Sequence, residues 1–288
     1  MKESKAVETS YNQIVSDALR SLLYEVSVHP KPGLVDPISP GPHPDMTVFT
    51  FIDSSVSLRN YFAACVKEGQ VFTGSDLKAL FKNIRPIGVE AEKVMFQATH
   101  GVNTHKGAVF SLGILTTAEA YRLSSESDES LMNIVREMLH GLTDNDFKNV
   151  HRKTRDELTA GEREYLDYGV KGIRGEAEAG FPVVMTYALP ILERSTAPIN
   201  ESLLDVLMSI VGHSIDTNLI KRAGSVDIID WVKAQATQYF KLGGSATPQG
   251  MRFLEELNQI FLAKNLSLGG SADLLILTIF MGLRKNII

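Results

Sequence analysis

Apolar and polar positions follow a helical period along most of the chain. In Val48, Ile52, Ser55, Leu58 and Phe62 the near-neighbours fall three or four apart, the spacing of one helix face. Similar patterns run through residues 9–28, 107–123, 129–141, 201–212, 226–240 and 250–263. The segment SADLLILTIFMGL (271–283) is apolar nearly all round, which predicts a central, fully buried helix. Strand-like alternation is scarce, and the Asn-Gly and Asp-Gly dipeptides that mark hairpins are absent. The pattern therefore predicts an all-α protein of roughly ten to thirteen helices, from typical helix lengths. No linker rich in Pro, Gly or Ser separates two halves, so residues 1–288 are expected to form a single compact multi-helix domain with functional loops at helix ends. LGGSAT (242–247) echoes LGGSAD (268–273), but the residues after each copy, PQGMRF and LLILTI, have nothing in common. The echo reads as two helix N-termini using similar chemistry rather than as a repeat.

Composition narrows the function class. At 288 residues, with 44% hydrophobic and 22% charged residues, the chain can bury a sizeable core and is not disordered. A formal charge of −5 gives no global basic field, which disfavours a nucleic-acid backbone binder. Any polyanionic small molecule would have to meet local cations. The single cysteine, Cys65, excludes disulfides within the chain and a Cys-based zinc site. The polar N-terminal stretch lacks the apolar centre of a signal peptide, and no apolar run reaches the ~20 residues of a membrane span, so a soluble cytoplasmic protein is expected.

What stands out is the polar punctuation. Five connections carry glycine or proline together with charge: residues 29–46, 99–107, 172–182, 214–224 and 265–275. The first has six prolines in 18 residues, which fixes an extended path, and it carries Lys31, Asp36, His43 and Asp45, with Asp45 a possible cap for the next helix. In GVNTHKG (101–107), Asn103 or Thr104 could cap a helix, while His105 and Lys106 would face whatever sits at that helix N-terminus. GIRGEAEAGFP (172–182) sets Glu176 and Glu178 two apart beside Arg174. Its three glycines favour a non-helical path on which the two carboxylates would share a face, as a magnesium site needs; an acidic first turn of a following helix is the bland alternative. In SIDTNLIKRAG (214–224), Asp216 starts a helix on which Asn218 and Arg222 share a face. In NLSLGGSADLL (265–275), Ser271 is read as a cap with Asp273 in the first turn; the sharper alternative is a phosphate cradle of Gly269, Gly270 and Ser271 with Asp273 on a metal. Taken jointly, the five loops suggest a cleft at the end of a helical bundle suited to a magnesium-bound polyphosphate.

At these stretches the sequence resembles the triphosphoribosyl-dephospho-CoA synthase family. The matching segments are PKPGLVD with the following His and Asp-Met, RPIG (85–88), GVNTHKG followed by FSLG, RGEAEAGFP, DTN with its Arg, and GGSADLL. They span residues 25 to 277. The chain departs from the family pattern at Pro44, where Lys is usual, at Ala223, where Gly is usual, and at Leu268, where Pro is usual.

The resemblance implies that ATP and 3′-dephospho-CoA give 2′-(5″-triphosphoribosyl)-3′-dephospho-CoA and adenine, the precursor of the prosthetic group of citrate lyase or of malonate decarboxylase. It implies a cytoplasmic pentosyltransferase, ATP and 3′-dephospho-CoA as ligands, Mg²⁺ with the ATP, and a separate downstream transferase that loads the acyl-carrier subunit. Breaking an N-glycosidic bond through an oxocarbenium-like state needs a carboxylate and an acid for the leaving base. On that basis Glu176, Glu178 and Asp216 are candidates for the base or for magnesium, with Asp273 a further metal candidate. Lys31, Asn103, Lys106, Arg174, Asn218 and Arg222, with Gly269, Gly270 and Ser271, are candidates to hold phosphate. His105 would touch phosphate or protonate departing adenine. Asp36, His43 and Asp45 are unranked. Two other classes share this inventory: a hydrolase that cleaves the N-glycoside of a nucleotide with water, and a non-catalytic nucleotide-binding helical module.

Overall fold

The computed structural model describes residues 2–288, and among them there are fifteen α-helices and no strand. The first half contains α1 (Lys2–Ser27), α2 (Val48–Ser57), α3 (Arg59–Val71), α4 (Leu77–Ala98), α5 (Lys106–Ser124), α6 (Leu131–Leu139) and α7 (Leu142–Phe147). The second contains α8 (Ala160–Tyr168), α9 (Gly172–Glu178), α10 (Leu189–Arg194), α11 (Ile199–His213), α12 (Thr217–Ala223), α13 (Ile228–Lys241), α14 (Pro248–Ala263) and α15 (Gly269–Arg284). Eleven of these have nine residues or more, within the expected range. The other four are six or seven residues long, about two turns each, too short for a hydrophobic period to register.

The expected central helix is α15. Its Leu274, Leu275, Ile276, Leu277, Ile279 and Phe280 are all buried, and it packs against α1, α5, α11 and α12. Each such side chain contributes roughly 1.5–3 kcal/mol of hydrophobic stabilisation. At its far end Arg284 donates to Asp17 of α1 (3.1 Å) and to Glu119 of α5 (3.2 Å), all three largely enclosed. The most extensively packed helix pair is α3 with α5, and at Gly113 of α5 a β-carbon would collide with the Tyr61 hydroxyl, which donates to the Val109 carbonyl (2.7 Å). Val150 of a short 3₁₀ turn, Phe147 and Leu158 form a small separate cluster under α8.

Three local expectations are corrected. Residues 172–178 are helical despite their glycines, because α9 packs against α6 and α7 and a glycine costs only about 1 kcal/mol in a helix. The first turn of α2 is closed by Thr47 and Thr50 in a reciprocal capping box, and Asp45 lies exposed outside it. Leu268, not Ser271, occupies the cap position of α15; Ser271 lies inside the helix and is bound elsewhere. No single described helix is long and apolar enough to cross a membrane; the α11–α12 pair reaches that length only by turning 69°.

Candidate active site

The N-termini of α5, α12 and α15 meet at one end of the bundle, with the proline-rich loop on one side and α9 on the other. They enclose two adjoining recesses. The wider, a cleft of about 650 Å³, is lined by Lys171, Glu176, His213, Ser214, Asp216 and the start of α15. The narrower, about 150 Å³, lies between the proline-rich loop, α2 and α15, and is lined by Leu34, Val35, Met46, Phe51, His105 and Ile276, with Glu25 and His43. Asn103, Lys106, Gly107, Asn218 and Asp273 border both. All five polar loops thus supply residues to the lining of the two recesses.

Gly107 explains how the wall is made. A β-carbon there would collide with the Asp273 carboxyl, so only glycine lets the first turns of α5 and α15 touch. The cap position of α5 is His105, which makes no side-chain capping bond, rather than Asn103 or Thr104; Asn103 accepts from the Lys106 main-chain N–H (3.3 Å), and Thr104 turns away to donate to Ser54 Oγ (2.7 Å). Asp216 caps α12 through Leu219 N–H (3.1 Å) and accepts from Gly270 N–H (3.3 Å), Ser271 N–H (2.7 Å) and Ser271 Oγ (2.9 Å). One carboxylate therefore ties two helix N-termini together and occupies the Gly270–Ser271 amides that a phosphate cradle would use.

Asp273 is the unusual group. Burial, and after it the neighbouring carboxylates of Asp216 and Glu25, push its carboxyl up to about 8, so it is mostly protonated at neutral pH. Glu176 is also raised, by burial, and its one hydrogen bond among the described residues is from Val183 N–H (3.3 Å), which leaves its other oxygen unengaged there. Burial, then Lys31, lowers His105 to about 3, so its ring is neutral. That removes it as a cationic phosphate ligand and as the acid for adenine.

Several candidates lie elsewhere. Lys31 is wholly buried and paired with Glu25, its Nζ also donating to the Glu25 carbonyl (2.6 Å). It is spent on Glu25 behind the narrow recess and lines neither recess. Because α9 is a helix, Glu178 points away from Glu176; it accepts from Gly141 N–H (2.8 Å) and from Thr143 at the start of α7. Burial pushes it up, but those hydrogen bonds and Lys171 hold it below the ordinary value. Arg174 pairs with Asp146 and lies over the Phe110 ring (5.1 Å), outside both recesses. Arg222 sits on the outer rim, donating to Asn265 (2.8 Å) with His43 Nδ1 at 3.2 Å; His43 Nε2 reaches Ser267 (3.0 Å). Burial, then Arg222, keeps His43 below its usual value. Asp36 is buried and accepts from Ile38 N–H (2.9 Å) and Ser39 N–H (2.8 Å), with His29 Nδ1 at 2.8 Å, so it fixes the loop.

Of the predicted cations, Lys106 alone borders the recesses; its Nζ pairs with Glu92 (3.0 Å) and is half exposed. Lys171 is a cation that the motifs do not single out. It stands one residue before GIRG, lines the cleft, and donates to Thr143 Oγ1 (3.0 Å). Glu25 and His213 escape the motifs as well. His213 Nδ1 is 2.8 Å from the Ser209 carbonyl, and its ring stacks on Tyr187 at 3.7 Å. Both lie inside helices, just before the polar loops that the motifs mark. Among the described residues, no three His, Cys, Asp or Glu side chains converge as a metal cage.

The family model described as ATP:dephospho-CoA triphosphoribosyl transferase matches residues 12–287. The chain is 63% identical over 275 residues to a probable 2-(5''-triphosphoribosyl)-3'-dephosphocoenzyme-A synthase of Lactiplantibacillus plantarum, covering 96% of this chain and 98% of that one. It is 38% identical to a protein of the same name from Citrobacter koseri, covering 92% and 88%. It is 49% identical to Protein CitXG of Leuconostoc mesenteroides, of which it spans 59% while 95% of this chain is covered. No solved structure matches.

Proposed function

The chain belongs to the ATP:dephospho-CoA triphosphoribosyl transferase family, an enzyme family, and we infer that the two recesses joined at Asp273 are where it carries out that transfer. The observation that carries this reading is a protonated carboxyl on the wall between a wide polar cleft and a narrow, partly apolar one. A glycosyl transfer from a nucleotide needs an acid placed between the base and the sugar it leaves.

Each position implies a role in the transfer. The ribose hydroxyl oxygen of dephospho-CoA forms a bond to the anomeric carbon of ATP as the bond from that carbon to adenine breaks. Glu176, raised by burial and with a free oxygen, takes the hydroxyl proton. Asp273 gives its proton to the departing base, so adenine leaves neutral. Lys106 and Lys171 stand over the cleft for the triphosphate, and Asn103 and Asn218 offer amide groups at the shared wall. Charge spread over the ribose in the transition state is met by the carboxylates around it.

Of the four carboxylates expected to hold magnesium, three are otherwise engaged, and Glu176 alone does not make a resident site. Asp216 spends its oxygens on helix amides, Glu178 faces α7, and Asp273 is held protonated. Magnesium is therefore proposed as part of the substrate, entering on the triphosphate with its own waters. A cytoplasmic location, supply to citrate lyase or malonate decarboxylase, and a separate downstream transferase belong to the same proposal. The test is to incubate the protein with ATP, Mg²⁺ and dephospho-CoA and to separate the products. Free adenine with a conjugate that retains all three phosphates is expected; ADP or AMP in its place would overturn the reading, and adenine without dephospho-CoA would make it a hydrolase.

A further inference from the structure

We propose that the narrow recess is the subsite for the leaving purine and that His105 reads it, donating its Nε2–H to a ring nitrogen of the base. The proposal rests on the transfer reaction above and adds which recess takes which end of ATP.

The His105 side chain is buried at the junction of α2 and α5, its residue is part of the recess lining, and among the described residues its Nε2 is buried with no hydrogen-bond partner. Its tautomer is set by the chain of hydroxyls behind it. Thr104 Oγ1 donates to Ser54 Oγ (2.7 Å). The Ser54 hydrogen then has one described acceptor, His105 Nδ1 (2.7 Å). Nδ1 therefore accepts, and in the neutral ring the proton lies on Nε2. The ring is fixed edge-to-face on Phe51, with centroids 5.0 Å apart. A buried N–H with no acceptor is costly, so a ligand acceptor is the natural partner.

The rest of the recess selects the kind of ligand. Leu34, Val35, Met46, Phe51 and Ile276 offer apolar surface to a flat heteroaromatic. Glu25 and Asp273 border the same space; Lys31 is paired with Glu25, which leaves Lys106, at the wall shared with the wider cleft, as the lysine on its lining. The wider cleft adds Lys171 to the Lys106 that borders both recesses, and so offers the triphosphate the second cation that the narrow recess lacks. A purine in the narrow recess puts its glycosidic bond at the shared wall, beside Asp273.

The test is a cycle between the protein and the base. Transfer to dephospho-CoA is measured for ATP and for its 1-deaza, 3-deaza and 7-deaza analogues, in which C–H replaces one ring nitrogen. In the unmodified protein at least one analogue is expected to lose about ten- to a hundredfold in kcat/KM. In His105→Leu that penalty shrinks to within about twofold, and in His105→Gln, which keeps an N–H donor, part of it returns. Should His105→Leu fail to fold, Ser54→Ala, which releases the tautomer, carries the same comparison with a partial loss of the penalty. Equal penalties in variant and parent, or no discrimination among the analogues by the parent, overturn the proposal. Failure of the reaction itself is distinct, because ATP would then yield no adenine with the unmodified protein.

Discussion

The two LGGSA segments share five residues in a row and reach opposite ends. In the first, Gly243 and Gly244 take left-handed backbone (φ 94° and 61°) and form a 3₁₀ turn before α14. Ser245 there gives its N–H and its hydroxyl to Asp205, both at 2.9 Å, and Tyr239 gives its hydroxyl to the same carboxylate at 2.6 Å. In the second, Gly269 and Gly270 are helical, and Ser271 gives its N–H and hydroxyl to Asp216. Both serines therefore clamp an aspartate from another segment, and the local chemistry is the same. The sixth residue separates them. Thr247 caps α14 by accepting Gly250 N–H (3.0 Å), whereas Asp273 stands in the wall of the cleft. A motif at a helix start says little about function until it is known what the neighbouring position faces.

The widest separation should come from the two aspartates. Asp205→Ala and Asp216→Ala each strand several buried donors, at about 1–3 kcal/mol apiece, so each should lose at least about 3 kcal/mol in denaturant unfolding. Only Asp216→Ala should also abolish adenine release per folded molecule. Full specific activity in Asp216→Ala would place the cleft elsewhere.

Next come the sixth residues. Asp273→Asn should lower turnover about a hundredfold or more while keeping the fold. Thr247→Ala should lose about 1 kcal/mol of stability from its cap and keep its specific activity. If the two exchanged phenotypes, the contrast between the copies would be wrong.

The same carboxyl predicts a pH signature. Its folded-state value of about 8 lies above the ordinary 3.8, so the folded protein holds this proton more tightly than the unfolded chain. Stability from this group is complete below about pH 4 and falls as the pH climbs to about 8, then levels off. Unfolding of the parent minus that of Asp273→Asn, tracked across this window, should show that decline. Turnover should fall above about pH 8 as the acid deprotonates, and should fall on the acid side at a pH above the usual carboxylate range as Glu176 protonates. A profile flat through pH 8 would remove Asp273 as the acid.

The smallest effect belongs to the cation opposite the second copy. Lys106→Ala should raise KM for ATP several-fold and leave the melting temperature within about a degree, because an exposed pair with Glu92 contributes little to stability. An unchanged KM would leave Lys171 as the phosphate contact.

Helix faces are legible because burial repeats every three or four residues, and α15 stands out for having no polar side. The convergence of polar loops is legible too: Asn103, Lys106, Glu176, Asn218 and Asp273 all reach the recesses. Direction is not. Three glycines suggest an extended path on which Glu176 and Glu178 share a face, but packing against α6 and α7 overrides that weak preference and turns them apart. Lys31 looks like a free cation because its partner, Glu25, sits at the end of the preceding helix, and only folding the proline-rich loop back buries the pair. His105 looks like a titrating group, and its neutrality comes from burial that no spacing reveals. Lys171 escapes notice because it lies just outside the motif it serves.

Arg284 stands eleven residues, about 16 Å along the axis, from Asp273, and fastens the far end of α15 to α1 and α5. The acid is thus mounted on a pinned strut at the centre of the molecule, with Gly107 pressed against it at the near end. Its thermal excursions are those of a packed interior, small and fast, and no hinge lies between it and the frame. Putting the proton donor in position is therefore not an event the catalytic cycle has to wait for. Timing is left to what enters and leaves the two recesses.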